Sequence, residues 1–227
     1  MQPHGSQNSR RLILCYVTDR KTLQTGDAQI IEKIGTAVQA GADWVQIREK
    51  DLTTRELLAL TRRAVQAAEA AAQPVRIIVN DRLDIAIAAG ASGVHLGSES
   101  IPVRELAAWR GAGNNAPKEF VIGYSCHQLK EAIDAEKYGA SYVFFGPIYD
   151  TPSKRAFGAP QGVARLGEVC RALRIPVLAI GGVKEENADE LMGAGCAGIA
   201  AIRLFQEAET LWSLQETLAG LHRLPLR

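Results

Sequence analysis

The chain has few cysteines, no long apolar run and almost no net charge, and each shortage excludes a class of protein. Its four cysteines show no CxxC or zinc-type spacing, and a chain of 227 residues does not need disulfides, so a reducing cytoplasm is the expected compartment. No apolar run approaches the ~18 residues of a membrane span. A formal net charge of +1 gives no reason to expect a nucleic acid or an anionic membrane as a partner.

Length and composition fit one large α/β domain. Hydrophobic residues make up 47% of the chain, enough for a sizeable core, and α/β barrels of about 200–250 residues are routinely single domains. Residues 1–11 are polar, contain Pro3 and Gly5, and lack the apolar core of a secretory signal. We therefore expect a disordered N-terminal tail over residues 1–11 and one folded domain over residues 12–227.

A recurring pattern consists of a glycine, one or two small residues and then an apolar run. It occurs at residues 41–49, 90–97, 139–147 and 195–203. Each copy follows a helix-like stretch, so the glycine is interpreted as a helix stop and the apolar run as a buried strand. Other short apolar runs lie between the copies. Together they predict strands near residues 12–18, 43–48, 76–80, 93–97, 120–124, 141–146, 176–181 and 198–203.

The alternation of these strands with amphipathic or Ala-rich stretches predicts right-handed β-α-β units and a parallel sheet. Eight such units in one domain predict closure into a (β/α)₈ barrel, the TIM-barrel fold. The alternative is an open doubly wound sheet, which usually has five or six strands and a glycine-rich turn after the first. Here the first strand is followed by Asp19-Arg20-Lys21, which favours the barrel.

Polar residues follow six of the predicted strands and a glycine pair follows a seventh, at the end where the active site of such a barrel lies. In strand order from the second, the candidates are Gln46, Arg48 and Lys50; Asn80 and Asp81; Glu99 and Ser100; Ser125 and His127; Thr151, Ser153 and Lys154; Gly181 and Gly182; Ile202 and Arg203. The glycine pair would let backbone N–H groups approach a phosphate. The cations and hydroxyls suit a more highly charged group such as a pyrophosphate, and the carboxylates could hold Mg²⁺.

Each pattern also has a structural interpretation. The charges of residues 46–51 could form a solvated strand exit, and Asp81 could cap the following helix. The glycine pair could serve a tight strand-to-helix turn, and His127 could be an early helix residue with local hydrogen bonds. Packed barrel positions are expected for His95, Trp44 and Tyr142.

Six short motifs, in this order, resemble thiamine-phosphate synthase. They are QIREKD, Asn80-Asp81-Arg82, HLG followed by an acidic residue, GYSCH, GPIYDTPSK and AIGGV, and the similarity extends from Cys15 to about Phe205. The resemblance implies a TIM barrel that joins 4-amino-2-methyl-5-hydroxymethylpyrimidine pyrophosphate to thiazole phosphate and releases pyrophosphate, with Mg²⁺ as cofactor. Phosphorylated small molecules are the implied partners. The resemblance does not decide whether the protein forms a homo-oligomer.

The resemblance implies a role for each candidate residue. Residues that match the pyrimidine pyrophosphate site are Gln46, Arg48, Lys50, Asn80, Ser125 and Lys154. Residues assigned to thiazole phosphate are Thr151, Ser153, Gly182, Ile202 and Arg203, with Ser153 replacing the usual Thr. The implied metal set is Asp81, Glu99 and Ser100, and the implied catalytic set is Lys154, Ser125, Arg48 and Lys50.

Two positions depart from the family pattern. Ser100, preceded by Glu99, stands where the family usually has a second Mg²⁺-binding Asp. Arg203 replaces a small hydroxyl residue; it could grip a phosphate bidentately or fill the site.

These departures leave two alternatives to the synthase. Thiazole tautomerases share the barrel and need no metal, and His127 could be their acid/base residue. Asn80, Asp81, Lys50 and Lys154 favour the synthase. The third hypothesis is a barrel that binds a phosphorylated ligand without catalysis.

Overall fold

A closed barrel of eight parallel strands forms the centre of the molecule. The computed structural model describes residues 11–23, 27–112, 117, 119–151 and 159–224. The strands are β1 Ile13–Val17, β2 Trp44–Ile47, β3 Arg76–Asn80, β4 Gly93–Leu96, β5 Val121–Cys126, β6 Tyr142–Phe145, β7 Val177–Ile180 and β8 Gly198–Ala201. Each pairs in parallel with the next, and β8 pairs with β1. The predicted (β/α)₈ barrel is confirmed, and the open sheet is excluded. Apart from Arg11, the predicted tail lies outside the described residues.

Helices follow the strands and cover the outside of the barrel. They are α1 Asp27–Ala40, α2 Thr54–Glu69, α3 Leu83–Ala89, α4 Val103–Gly111, α5 Leu129–Lys137, α6 Gly162–Ala172, α7 Ala188–Gly193, α8 Arg203–Gln206 and α9 Leu211–His222. The glycines that open the recurring pattern are Gly41, Gly90, Gly139 and Gly195, and all four have positive φ. Each lies within two residues of a helix end, so the predicted helix stops are confirmed.

Alternation along the strands separates two cores. Outward side chains pack against the helices, while an inner cluster fills the barrel: Cys15, Val17, Ile78, Tyr142, Phe144, Leu178 and Ala200. Trp44 packs against this cluster and meets the Tyr142 ring edge-on at 4.7 Å between centroids, as expected for packed barrel residues. Because these inner positions are filled, only the inward residues near the carboxyl ends of the strands can meet a substrate. Within the described residues, no helix is long and apolar enough to span a membrane.

Candidate active site

A chain of hydrogen bonds joins β2, β3 and the loop after β4 at the carboxyl end of the barrel. Gln46 Nε2 donates to Asn80 Oδ1 at 3.3 Å, and Asn80 Nδ2 donates to Asp81 Oδ2 at 2.7 Å. The Ser100 hydroxyl donates to Asp81 Oδ1, and the Gly97 amide donates to Ser100 Oγ at 2.6 Å. We call this set the Gln46–Ser100 chain. It brings together four residues that the sequence assigned to the pyrimidine and metal sites.

Asp81 has an unusual backbone that aims its carboxylate at this chain. Its φ is +61°, in the left-handed region that non-glycine residues seldom adopt. Its N–H donates to the His95 carbonyl at 2.9 Å, across β3 and β4. Arg82 is the N-cap of α3, without a side-chain cap, so the interpretation of Asp81 as the helix cap is wrong. Strained backbone of this kind is concentrated at functional sites.

The surroundings of Asp81 leave room for a hard cation. Asp81 is exposed. One carboxylate oxygen accepts a hydrogen bond from Asn80 and the other accepts one from Ser100, so each oxygen keeps a further lone pair. Glu99 is also exposed, but the side chain bonded to Asp81 is Ser100. The described residues contain no cluster of three or more His, Cys, Asp or Glu that could hold a metal, so a cation here would use one or two carboxylates, as Mg²⁺ can.

A cavity of about 270 Å³ opens between the ends of β2 and β3. It is lined by Ile47, Glu49, Lys50, Leu52, Leu57, Asn80, Asp81 and Arg82. Lys50 therefore shares this cavity with the amide of Asn80 and the carboxylate of Asp81. The arrangement places a positive charge, an amide and a possible metal ligand around one space, as the sequence predicts for a pyrophosphate site.

The acidic residues of the same segment anchor the neighbouring loop. Glu49 is 5% exposed and accepts from Arg20 N at 3.1 and 3.2 Å, and burial raises its pKa. Asp51 pairs with Arg20 at 2.9 Å and with Lys21 at 3.3 Å. The buried Thr18 hydroxyl accepts from Arg48 N at 2.9 Å. The solvated-exit interpretation is therefore wrong for Glu49, which ties the β1 loop to the β2 loop.

His95, Ser125 and Tyr142 form a second polar group beside the chain. His95 Nε2 lies 2.8 Å from Ser125 Oγ, and His95 Nδ1 lies 3.0 Å from the Tyr142 hydroxyl. The ring is 2% exposed and packs on Phe144 at 4.2 Å between centroids. Burial, with help from the Arg48 charge, lowers the pKa of His95 to about 3, so the ring is neutral at pH 7.

The packed position predicted for His95 is thereby confirmed. Its bond to the candidate residue Ser125 was missed from the sequence. The available signal was the alternation along β4 and β5, which turns both side chains inward.

The loops after β6 and β7 pack closely together. Ile148 N donates to Ile180 O at 2.9 Å, and Tyr149 N donates to Gly181 O at 3.0 Å. A Cβ on Gly182, whose φ is +69°, would lie 2.6 Å from Tyr149 Cβ. The structural interpretation of the glycine pair therefore holds, because the close approach of this loop requires it. Within the described residues, the Gly182 N–H has no acceptor, which leaves it available to an anion.

Of the candidates after β6, Thr151 is half-buried at the end of this loop. Ser153 and Lys154 lie outside the described residues, so their predicted places stay predictions.

After β8 the chain enters the four-residue helix α8, with Ile202 as its N-cap. A short helix after β8 is a usual part of the phosphate site in this fold. The Arg203 side chain is 62% exposed, and its Nε lies 3.7 Å from Glu207. With that exposure Arg203 does not fill the site, and a phosphate-gripping role stays a prediction.

His127 lies just before α5 and makes one local and one long-range hydrogen bond. Its ring Nδ1 bonds the Gly146 carbonyl, and its backbone N–H donates to Glu131 Oε2 at 2.7 Å. The interpretation as an early helix residue is therefore wrong, because α5 begins at Leu129 and the ring bond reaches a carbonyl 19 residues away; only the backbone bond to Glu131 is local.

Comparisons with known proteins agree with this geometry. The family described as thiamine monophosphate synthase matches residues 14–205. A putative thiamine-phosphate synthase of Geobacter sulfurreducens is 41% identical over 189 residues, covering 83% of this chain and 84% of that protein. The thiamine-phosphate synthase of Clostridium novyi is 36% identical over 208 residues, covering 92% and 97%. The solved thiamine phosphate pyrophosphorylase of Pyrococcus furiosus superposes with a TM-score of 0.80 at 30% identity, covering 96% and 99%.

These relatives are named for the synthase, which confirms the synthase prediction. The matched segment begins at the second residue of β1 and ends in α8, so it contains all but one residue of the eight strands. The chain therefore belongs to the thiamine monophosphate synthase family.

Proposed function

We propose that this barrel joins 4-amino-2-methyl-5-hydroxymethylpyrimidine pyrophosphate to thiazole phosphate, forming thiamine phosphate and pyrophosphate. The observation that carries the proposal is the Gln46–Ser100 chain with Lys50 beside it. After the bonds within the chain, Gln46 keeps its amide oxygen and Asn80 keeps one N–H. An acceptor and a donor side by side suit the amino group and the ring nitrogen of an aminopyrimidine.

The reaction needs charge stabilisation more than acid–base chemistry. The bond between the methylene carbon and the pyrophosphate oxygen breaks, and its electron pair leaves with pyrophosphate. The electron-rich aminopyrimidine stabilises the methylene cation, and the thiazole nitrogen supplies the pair for the new C–N bond. We assign the leaving pyrophosphate to Arg48, Lys50, Ser125 and Lys154. No step requires a general base, and the buried His95, whose pKa is lowered to about 3, would be a weak one.

The donor set fits one Mg²⁺ held mainly by Asp81. The Asp81 carboxylate is exposed and oriented by two hydrogen bonds, and Glu99 and Ser100 follow on the next loop. Mg²⁺ binds through one or two carboxylates and takes its remaining ligands from phosphate and water. When bound, it supplies positive charge to the pyrophosphate.

The carboxyl ends of the eight strands form the mouth of the barrel, and we place thiazole phosphate on the side of this mouth opposite the Gln46–Ser100 chain. The Gly182 N–H, the first turn of α8 after Ile202, and the hydroxyls of Thr151 and Ser153 would bind its phosphate. Arg203 would lie at the rim. The described cysteines are all free thiols, which supports a reducing cytoplasm as the compartment in which the enzyme acts.

An assay with both substrates tests the proposal. We expect thiamine phosphate to form only when both are present, to stop when a chelator removes divalent cations, and to resume with added Mg²⁺. Wild-type protein that makes no thiamine phosphate, but isomerises a thiazole carboxylate phosphate in a reaction abolished by His127→Ala, would show a tautomerase instead.

A further inference from the structure

A row of three side chains crosses the barrel interior from β6 to β5. The Tyr142 hydroxyl lies 3.0 Å from His95 Nδ1, and His95 Nε2 lies 2.8 Å from Ser125 Oγ. Tyr142 is fully buried and His95 is 2% exposed, whereas Ser125 is half-buried at the mouth. We call this set the Tyr142–His95–Ser125 relay. It connects a proposed substrate contact to two groups that water does not reach.

The protons of the relay can be placed by counting donors and acceptors. Within the described part of the chain, the Tyr142 hydroxyl has one partner, His95 Nδ1. A buried hydroxyl without an acceptor is costly, so the phenol donates its proton to Nδ1. A neutral imidazole carries one N–H, which must then be on Nε2 and must donate to Ser125 Oγ.

This arrangement leaves the Ser125 proton free. Ser125 Oγ accepts from His95, and no other described group accepts from its hydroxyl. In the opposite tautomer, the Ser125 hydroxyl would donate its hydrogen bond to His95 Nε2. Only the lone pairs of its oxygen would then face the mouth of the barrel. An anion there would be attracted by the first arrangement and repelled by the second.

We propose that Tyr142 and His95 are positioning residues that keep the Ser125 hydroxyl proton for the departing pyrophosphate. The inference rests on the proposed function, because Ser125 matters only if an anion leaves beside it. Tyr142 acts through the imidazole and His95 acts through the hydroxyl, so neither needs to touch the substrate.

Gly123 leaves the space that the relay occupies between β4 and β6. The strand register places His95 opposite Gly123 and Gly123 opposite Tyr142, in one row across β4, β5 and β6. A Cβ on Gly123 would overlap both the Tyr142 phenol and His95 Nδ1. The Tyr142–His95 hydrogen bond can therefore form only because the residue between them has no side chain.

The tautomer of His95 can be measured directly. Two-dimensional ¹H–¹⁵N spectra of the imidazole groups, recorded on the full chain at pH 7.5 and assigned with His95→Gln, should show His95 protonated at Nε2. Tyr142→Phe removes the hydroxyl that donates to His95 Nδ1. The imidazole signal of His95 should therefore shift towards the Nδ1-protonated form. A wild-type His95 protonated at Nδ1 would overturn the proposal, whether or not the protein makes thiamine phosphate.

Kinetics tests the consequence for turnover. We expect Tyr142→Phe to lower kcat by about tenfold with little change in the KM of thiazole phosphate, since one oriented hydrogen bond in the transition state is weakened. Tyr16→Phe is the matched control, because the Tyr16 hydroxyl is also buried but contacts Gln206. It should leave kcat unchanged.

Two His95 variants separate positioning from packing. In His95→Gln the side-chain amide can still donate towards Ser125, whereas His95→Met fills the space without a donor. We expect His95→Gln to retain at least tenfold more kcat than His95→Met at similar thermal stability. Equal kcat in the two variants, or an unchanged kcat in Tyr142→Phe, would overturn the proposal. Wild-type protein without synthase activity would instead count against the proposed function, and the spectra would still decide the relay.

Discussion

The sharpest test of the metal site is to remove the charge of Asp81 while keeping its shape. Asp81→Asn preserves the size of the side chain, and Asn tolerates the left-handed backbone that Asp81 adopts at φ +61°. If Asp81 holds Mg²⁺ beside the departing pyrophosphate, kcat/KM should fall by about 10²–10³, which corresponds to about 3–4 kcal/mol of transition-state stabilisation.

Asp81→Ala separates this electrostatic effect from the backbone. Alanine pays the full cost of the left-handed region, so the variant should be less stable than Asp81→Asn by about 1 kcal/mol or somewhat more. Both variants lose the carboxylate, so both should lose turnover to a similar extent. Unfolding by urea measures the first difference, and steady-state kinetics measures the second.

The assay is the formation of thiamine phosphate over a Mg²⁺ titration. Asp81→Asn should need more Mg²⁺ for half-maximal rate and should stay slow at saturation. Asp84→Asn is the matched control: it makes the same charge change three residues away, where the carboxylate pairs with Arg82 at 2.7 Å. If Asp81→Asn turns over within threefold of the wild type at every Mg²⁺ concentration, Asp81 is not a metal ligand and the proposed site is refuted.

Three further predictions concern other parts of the barrel. Because the His95 pKa falls from 6.5 to about 3 on folding, the unfolded chain binds a proton that the folded chain excludes, so stability drops as the pH falls below 6.5. Denaturant unfolding should show a loss of about 1.5 kcal/mol from this group between pH 6.5 and 5, absent in His95→Gln and retained in His127→Gln. Lys154→Ala should lower kcat by about 10²–10³ with little change in thiazole phosphate binding; intact turnover would remove its role. Gly182→Ala should raise the KM of thiazole phosphate and cost about 1–3 kcal/mol of stability, because its Cβ would meet Tyr149 at 2.6 Å; unchanged values of both would contradict the close packing.

The barrel could be predicted from the sequence because its signals are local. A glycine that ends a helix and a short apolar run that follows it are both properties of consecutive residues. The predicted strand bounds agree with the observed ones to within two residues. The same locality identified the polar residues after the strands, since the carboxyl ends of parallel strands meet at one mouth.

Side-chain roles within that mouth required the tertiary structure. An Asp after a strand is compatible with a helix cap or a metal ligand. The position of Arg82 as the N-cap of α3 decided against the cap, and the Asp81 carboxylate instead bonds Asn80 and Ser100. The burial of Glu49 could not be predicted from its neighbours, because its partner Arg20 is 29 positions away.

By itself, the sequence determined the fold, the mouth and the types of groups that line it. The tertiary structure decided which of those groups bond to one another. His95 shows the difference: its place inside a strand predicts burial, but its bonds to Ser125 and Tyr142 span 30 and 47 residues. Such pairings depend on the register of β4, β5 and β6, and no local pattern specifies that register.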